Sequence, residues 1–174
     1  MPIVPDTKDW TWVVERPCPD CGFDAAQIRD DEIGNLIRDN ANAWPKVLAR
    51  PDVRERPRDG VWSPLEYACH VRDVYRIYDA RLALMLSEVD PQYPNWDQDE
   101  TAVADGYRAQ ESDVVAREIV DAAGVLAARF DDVTGTEWER RGTRSDGAEF
   151  TVSTFARYLV HDPVHHLWDV GSHE

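Results

Sequence analysis

The chain has 174 residues, with 19 Lys+Arg against 34 Asp+Glu for a formal net charge of −15. A field of that sign repels phosphate backbones and anionic lipid before contact, which excludes nucleic acid as the working partner. Hydrophobic residues make up 43 %, with seven Trp, enough for one buried core, so the expectation is a single domain over 1–174 rather than a disordered acidic chain.

The opening Met1-Pro2-Ile3-Val4-Pro5-Asp6 has neither the basic nor the apolar region of a secretion signal. No apolar run reaches the about 20 residues that span a bilayer, so a cytoplasmic protein without a membrane partner is expected. Three cysteines are an odd count in a chain large enough to fold without staples, which points to reduced thiols. Residues 1–23, with Pro2, Pro5, Pro17 and Pro19, hold no helical period and are expected to form an extended arm. Within the arm, Cys18-Pro19-Asp20-Cys21-Gly22 has the spacing of half a zinc knuckle. Its other half is missing nearby, so these residues read first as a structural turn. A second metal site or a redox pair at Cys18 and Cys21 is the lesser alternative.

Ile33, Leu36, Ile37, Ala41, Trp44, Val47 and Leu48 recur at helical spacing and predict a helix over about 31–49, capped by Asp30 and kinked or restarted at Pro45. Ser63-Pro64-Leu65-Glu66 combines a capping hydroxyl, proline at the first helical position and a glutamate placed to close a capping box. A long one-sided helix to about Ser87 follows. Residues 89–98 predict a loop, and about 100–130 a helical region broken at Gly106 or Ser112. Arg144-Ser145-Asp146-Gly147 predicts a tight turn inside a short hairpin, after which Thr151 caps a last helix ended by Gly171. The expected fold is an all-α four-helix bundle over about 30–170, with an N-terminal arm and a hairpin-like insertion before the last helix.

His161 and His165 sit about 40° apart on one helix face, the spacing at which two imidazoles share an ion, whereas His166 lies about 140° from His161, in a sector with Asp162 and Asp169. His165 is therefore favoured over His166 as the partner of His161. A third ligand must come from another helix, and His70 lies on the core side of the second. Three imidazoles suit Zn²⁺, Ni²⁺, Fe²⁺ or Cu²⁺ and leave a coordination position open, as in a catalytic site. Asp73, Asp162 and Asp169 are candidates to hold the imidazole N–H groups, and Tyr158, Asp162 and Asp73 are candidate acid–base groups.

The segment Trp62-Ser63-Pro64-Leu65-Glu66-Tyr67-Ala68-Cys69-His70-Val71-Arg72-Asp73, with Thr151-Val152 and His161-Asp162-Pro163-Val164-His165-His166-Leu167-Trp168-Asp169-Val170, resembles the DinB-like superfamily of metal-binding four-helix bundles. That superfamily includes the metal-binding domain of mycothiol-dependent maleylpyruvate isomerases. The resemblance implies metal ligation by His70, His161 and His165, one divalent transition metal (zinc or nickel first, then iron), and a low-molecular-weight thiol such as mycothiol as a candidate cosubstrate. It also implies pairing into a homodimer, for which apolar residues around Val114 to Leu126 are the candidate face. Pro163 and the cysteine-bearing arm depart from the family pattern. The expected function is a metal-dependent enzyme that activates a thiol or water toward a small electrophile, of thiol-transferase or isomerase type. The alternatives are a metal-dependent hydrolase and a non-catalytic metal or small-ligand module.

Overall fold

The computed structural model of the protein describes residues 9–171. Helix α1 covers Ile33–Leu48, α2 Pro64–Ser87, α3 Gln98–Ala104, α4 Ser112–Asp131 and α5 Val152–Asp169. The predicted start of α2 is present in full: the Ser63 hydroxyl accepts from the Glu66 N–H at 3.3 Å while the Glu66 carboxylate takes the Ser63 N–H at 2.9 Å. Arg56, from the preceding loop, donates to the same carboxylate at 2.9 Å, so this buried acid ties the loop to the helix. Thr151 caps α5, and Gly171 follows with a φ of +67° that any side chain would strain.

Two helix ends differ from expectation. Asp30 does not cap α1, because it lies inside a 3₁₀ turn over Asp30–Glu32 and its carboxylate is claimed by Ser153 and Arg157 of α5, each at 2.7 Å. Pro45 neither breaks nor restarts α1, which continues to Leu48. It stands in the last turn, where only one backbone bond is forfeited. The region over 100–130 is interrupted at both suspected points. Gly106 adopts φ +58°, a 3₁₀ turn over Tyr107–Ala109 follows, and α4 begins at Ser112.

The four long helices form the bundle, with α1 and α2 each packed against both α4 and α5. Trp44, Tyr75, Met85, Ile119, Leu126, Phe155 and Leu159 are fully buried at its centre. On α4, Val115, Ile119 and Leu126 are spent in this core, leaving Val114 and Val125 exposed. The stripe expected to serve pairing thus mostly seals the chain's own interior. Among the described residues no helix is long and apolar enough to cross a membrane.

The predicted hairpin is β2 (Arg141–Arg144) against β3 (Glu149–Thr151), antiparallel, with Gly142 opposite Phe150. A third strand, β1 (Gln92–Tyr93), lies parallel to β2 where a loop was predicted. It forms because the carbonyls of Pro91 and Tyr93 accept the N–H groups of Thr143 and Ser145, both at 2.9 Å. Two-residue pairing of that kind carries no periodic signal. Gly142 is where this sheet meets α2: a Cβ there would sit 2.8 Å from Met85 Cγ and 3.0 Å from the Tyr93 ring, both buried. Gly142→Ala should therefore cost about 1–3 kcal/mol through overpacking, measured as a lowered urea midpoint with unchanged slope.

Candidate metal centres

On α5 the period of the helix creates two parallel pairs, His161 with His165 and Asp162 with His166, rotated by about 100° from each other. Different neighbours face them. The Asp162/His166 strip looks toward α2, where His70 is fully buried, and the ligand atoms of His70, Asp162 and His166 all lie within 4.8 Å of one another. Asp162 Oδ1 is the hub, 3.3 Å from His70 Nε2 and 3.5 Å from His166 Nε2. The His161/His165 strip looks toward the N-terminal arm, and its imidazoles form a second group with Cys18 and Cys21, again within 4.8 Å.

The predicted trio of His70, His161 and His165 is thus divided between two clusters. His166, set aside on angular grounds, joins His70, and Asp162 stands in the ligand group rather than behind it. Both pairs on α5 have i, i+4 spacing, so helical angle alone does not choose between them; the residues on the facing elements do. Pro163 causes no disturbance, since α5 is continuous from Val152 to Asp169.

The first cluster has the donor set and the unmet valence of a metal site. Both ring nitrogens of His70 and Asp162 Oδ1 are buried without a hydrogen-bond partner. Orphaned buried polar atoms cost about 1–3 kcal/mol each, and a divalent cation here would take up one His70 nitrogen and Asp162 Oδ1, with His166 Nε2 in reach. Although burial opposes it, His70 and His166 outweigh that and hold the Asp162 carboxyl below its ordinary range, ready as an anionic ligand. The remaining geometry fixes orientation. His166 Nδ1 bonds Asp169 Oδ2 at 2.8 Å, which leaves Nε2 facing Asp162. His70 is stacked on Trp96 at 5.2 Å with planes 3° apart, and Trp62 packs against it at 5.2 Å with its plane tilted by 45°. Asp169→Asn should weaken metal binding about 10–100-fold, as loss of a carboxylate behind a ligating imidazole does, read from competition with a metal indicator.

Asp73 does not support an imidazole. Its carboxylate accepts from Arg72 at 2.9 and 3.0 Å and from the Tyr107 hydroxyl at 2.6 Å, because the buried Arg72 guanidinium needs a counter-charge. Cys69 belongs to the same buried network, near Gln110 and the Tyr107 carbonyl. Burial pushes its thiol up to about 12, which makes it inert. Tyr158, by contrast, lines the cleft outside the metal cluster and accepts from Arg144 at 3.2 Å. Burial raises its phenol above the ordinary value despite the arginine, so it remains a proton-bearing donor at neutral pH.

The cleft, open to solvent on one side, has a volume of about 1350 Å³ and is lined by Trp10 of the arm, Trp62, Tyr67, Trp96, Phe150 and Tyr158 together with His161, Asp162, His165 and His166. Among the described residues eight carboxylates line it against two guanidinium groups, Arg58 and Arg144. On the neighbouring strip of α5, His161 and His165 also border the cleft and meet the arm, where Cys18 is 1 % exposed, His161 4 % and His165 9 %, with Cys21 half-buried. Burial, reinforced by His165, lowers His161 to about 4, so its imidazole is neutral at physiological pH.

A four-helix bundle with a His/Asp cluster shared between its second and last long helices defines a metal-site class of protein. The sequence model described as the DinB superfamily matches residues 33–170, and the chain belongs to that superfamily. Its fold is similar to that of YfiT from Bacillus subtilis, described as a probable metal-dependent hydrolase with an unusual four-helix bundle topology. The likeness has a TM-score of 0.72 at 15 % identity and covers 82 % of this chain and 86 % of that one. No curated protein matches the chain.

Proposed function

We propose that this chain is a metal-dependent enzyme in which His70, Asp162 and His166 hold one divalent ion in the aromatic cleft and a small electrophile is attacked there by water or a thiol. The single observation that carries it is the orphaned, buried donor set of His70 and Asp162 beside His166. Three protein ligands of this kind leave coordination positions open, and two imidazoles with one carboxylate suit zinc, nickel or ferrous iron. When bound, such an ion lets a water or thiol lose its proton near neutral pH and polarises a substrate oxygen.

The chain's own residues supply the rest. Trp62 and Trp96 lock the His70 ring and keep water off it. Asp169 fixes the tautomer of His166 with Nε2 turned to the ion position. Tyr158 lies one helical turn before Asp162 and keeps its proton, so it is the donor placed to meet negative charge developing on a substrate oxygen. The carboxylate-rich rim favours neutral or cationic substrates over polyanions.

The similarity to YfiT supports water as the nucleophile. The open cleft of about 1350 Å³ is wide enough to admit a cosubstrate of the mycothiol kind, which keeps the thiol as the second reading. Metal analysis of the protein and its His70→Ala, Asp162→Ala and His166→Ala variants tests the site. Turnover of small esters, amides and other electrophiles, with and without added low-molecular-weight thiol, tests the reaction. Unchanged metal content in all three variants would refute the proposal, and metal without turnover under either regime would reduce the chain to a binding module.

A further inference from the structure

We infer that Cys18, Cys21, His161 and His165 form a second, closed zinc site that staples the N-terminal arm to α5 and thereby builds one wall of the cleft. The cluster is independent of the reaction proposed above, since it shares no ligand with His70, Asp162 and His166.

The geometry is that of a tetrahedral Cys₂His₂ centre. Zinc bonds of about 2.3 Å to sulfur and 2.0 Å to nitrogen at tetrahedral angles place neighbouring S and N ligands about 3.5 Å apart. Cys18 Sγ lies 3.6 Å from His165 Nδ1, and all four ligand atoms fall within 4.8 Å of one another. His161 Nε2 is buried without a hydrogen-bond partner, the mark of a donor whose acceptor is missing. Four protein ligands fill a tetrahedral zinc, so this centre has no open position and is structural.

The arm is folded to present its two sulfurs. Cys18 N–H donates to the Phe23 carbonyl at 2.8 Å and Gly22 N–H to the Cys18 carbonyl at 3.0 Å. Gly22 takes φ +75° to turn the chain, with nothing near its Cα that would crowd a Cβ, so glycine is needed for its backbone alone. Phe23 and Trp10 cover the imidazoles, with Phe23 5.5 Å from His161 and Trp10 5.3 and 5.1 Å from His161 and His165. Trp10, Thr11 and Val14 in turn line the cleft. No disulfide closes the pair, as Cys18 and Cys21 are both free. Val13 and Phe23 are buried and Trp10 and Trp12 pack against the core, so apolar contacts seat the arm and the ion would fix its Cys18–Cys21 turn to α5.

The test uses the full-length protein purified without exposure to air. Expected are one zinc per chain that resists chelator dialysis, its release in step with titration of two thiols by a mercurial, and a sulfur-to-metal charge-transfer band when cobalt replaces it. The Cys18→Ser/Cys21→Ser and His161→Ala/His165→Ala variants should each lose that equivalent, and proteolysis between residues 9 and 23 should then set in. His70→Ala should keep it, together with the charge-transfer band, which separates this site from the catalytic one. If the double variants fail to fold, cobalt absorption and thiol-coupled release in the unaltered protein decide the matter. A Cys18–Cys21 disulfide in place of zinc, cobalt bound without any sulfur band, or tight zinc retained after loss of both cysteines would overturn the inference.

Discussion

Asp73→Ala should be among the most destabilising single substitutions in the bundle, lowering stability by about 3 kcal/mol at neutral pH. Removing one member of a buried ion pair costs about 3–5 kcal/mol because it strands the other charge. Here the stranded charge is Arg72, only 4 % exposed, and the loss falls at the lower end since Glu118 and Gln110 still accept from the guanidinium at 2.7 Å. The variant also orphans the fully buried Tyr107 hydroxyl, so Tyr107→Phe, which removes only a bond to a charged acceptor, should cost less, about 1.5–3 kcal/mol. The pH dependence carries a definite sign. Burial opposes ionisation of Asp73, but Arg72 and Tyr107 outweigh it and hold the carboxyl below its ordinary 3.8. A depressed carboxyl contributes its stability in full above the unfolded value and loses it as pH falls through the folded one. The gap between the parent protein and Asp73→Ala in urea midpoint should therefore be widest near pH 7 and shrink below about pH 4. An equal gap at pH 7 and pH 3 would show that the carboxylate charge contributes nothing.

The fold was legible wherever local chemistry decides it. Ser63, Pro64 and Glu66 announce α2, Thr151 and Gly171 bracket α5, and the apolar period of α4 marks its buried face. What escaped was settled by partners distant in sequence. Asp30 gives up its cap because Arg157 and Ser153 of α5 claim it, and β1 exists only because β2 passes beside it. The metal chemistry follows the same division. Histidines and cysteines of the right types were visible, and so was the i, i+4 spacing on α5. A helix, however, offers that spacing on every face. The Cys18-x₂-Cys21 turn reads as half a site because its complement is on α5, more than a hundred residues on, and only the packing of the arm reveals it.

Asp162 and His161, adjacent on α5, should separate cleanly under substitution. Asp162→Ala removes the hub between His70 Nε2 and His166 Nε2, so the loss of affinity for the ion proposed there should exceed the about 10–100-fold that outer partners such as Asp169 contribute, and any turnover that depends on it should fall as well. The arm-held zinc should remain, with its cobalt charge-transfer band intact. His161→Ala should do the opposite, releasing zinc and exposing the arm while the ion at His70, Asp162 and His166 stays bound. His166→Ala should follow Asp162→Ala, and His165→Ala should follow His161→Ala, because helix rotation of about 100° per residue gives each i, i+4 pair its own neighbour. Asp169 stands between the two sets, 2.8 Å from His166 Nδ1 and 3.9 Å from His165 Nε2, so Asp169→Asn is the one change on α5 expected to loosen both ions, and the one proposed at His166 more. If His165→Ala removed the ion held by His70 while Asp162→Ala spared it, the assignment of pairs to sites would be reversed.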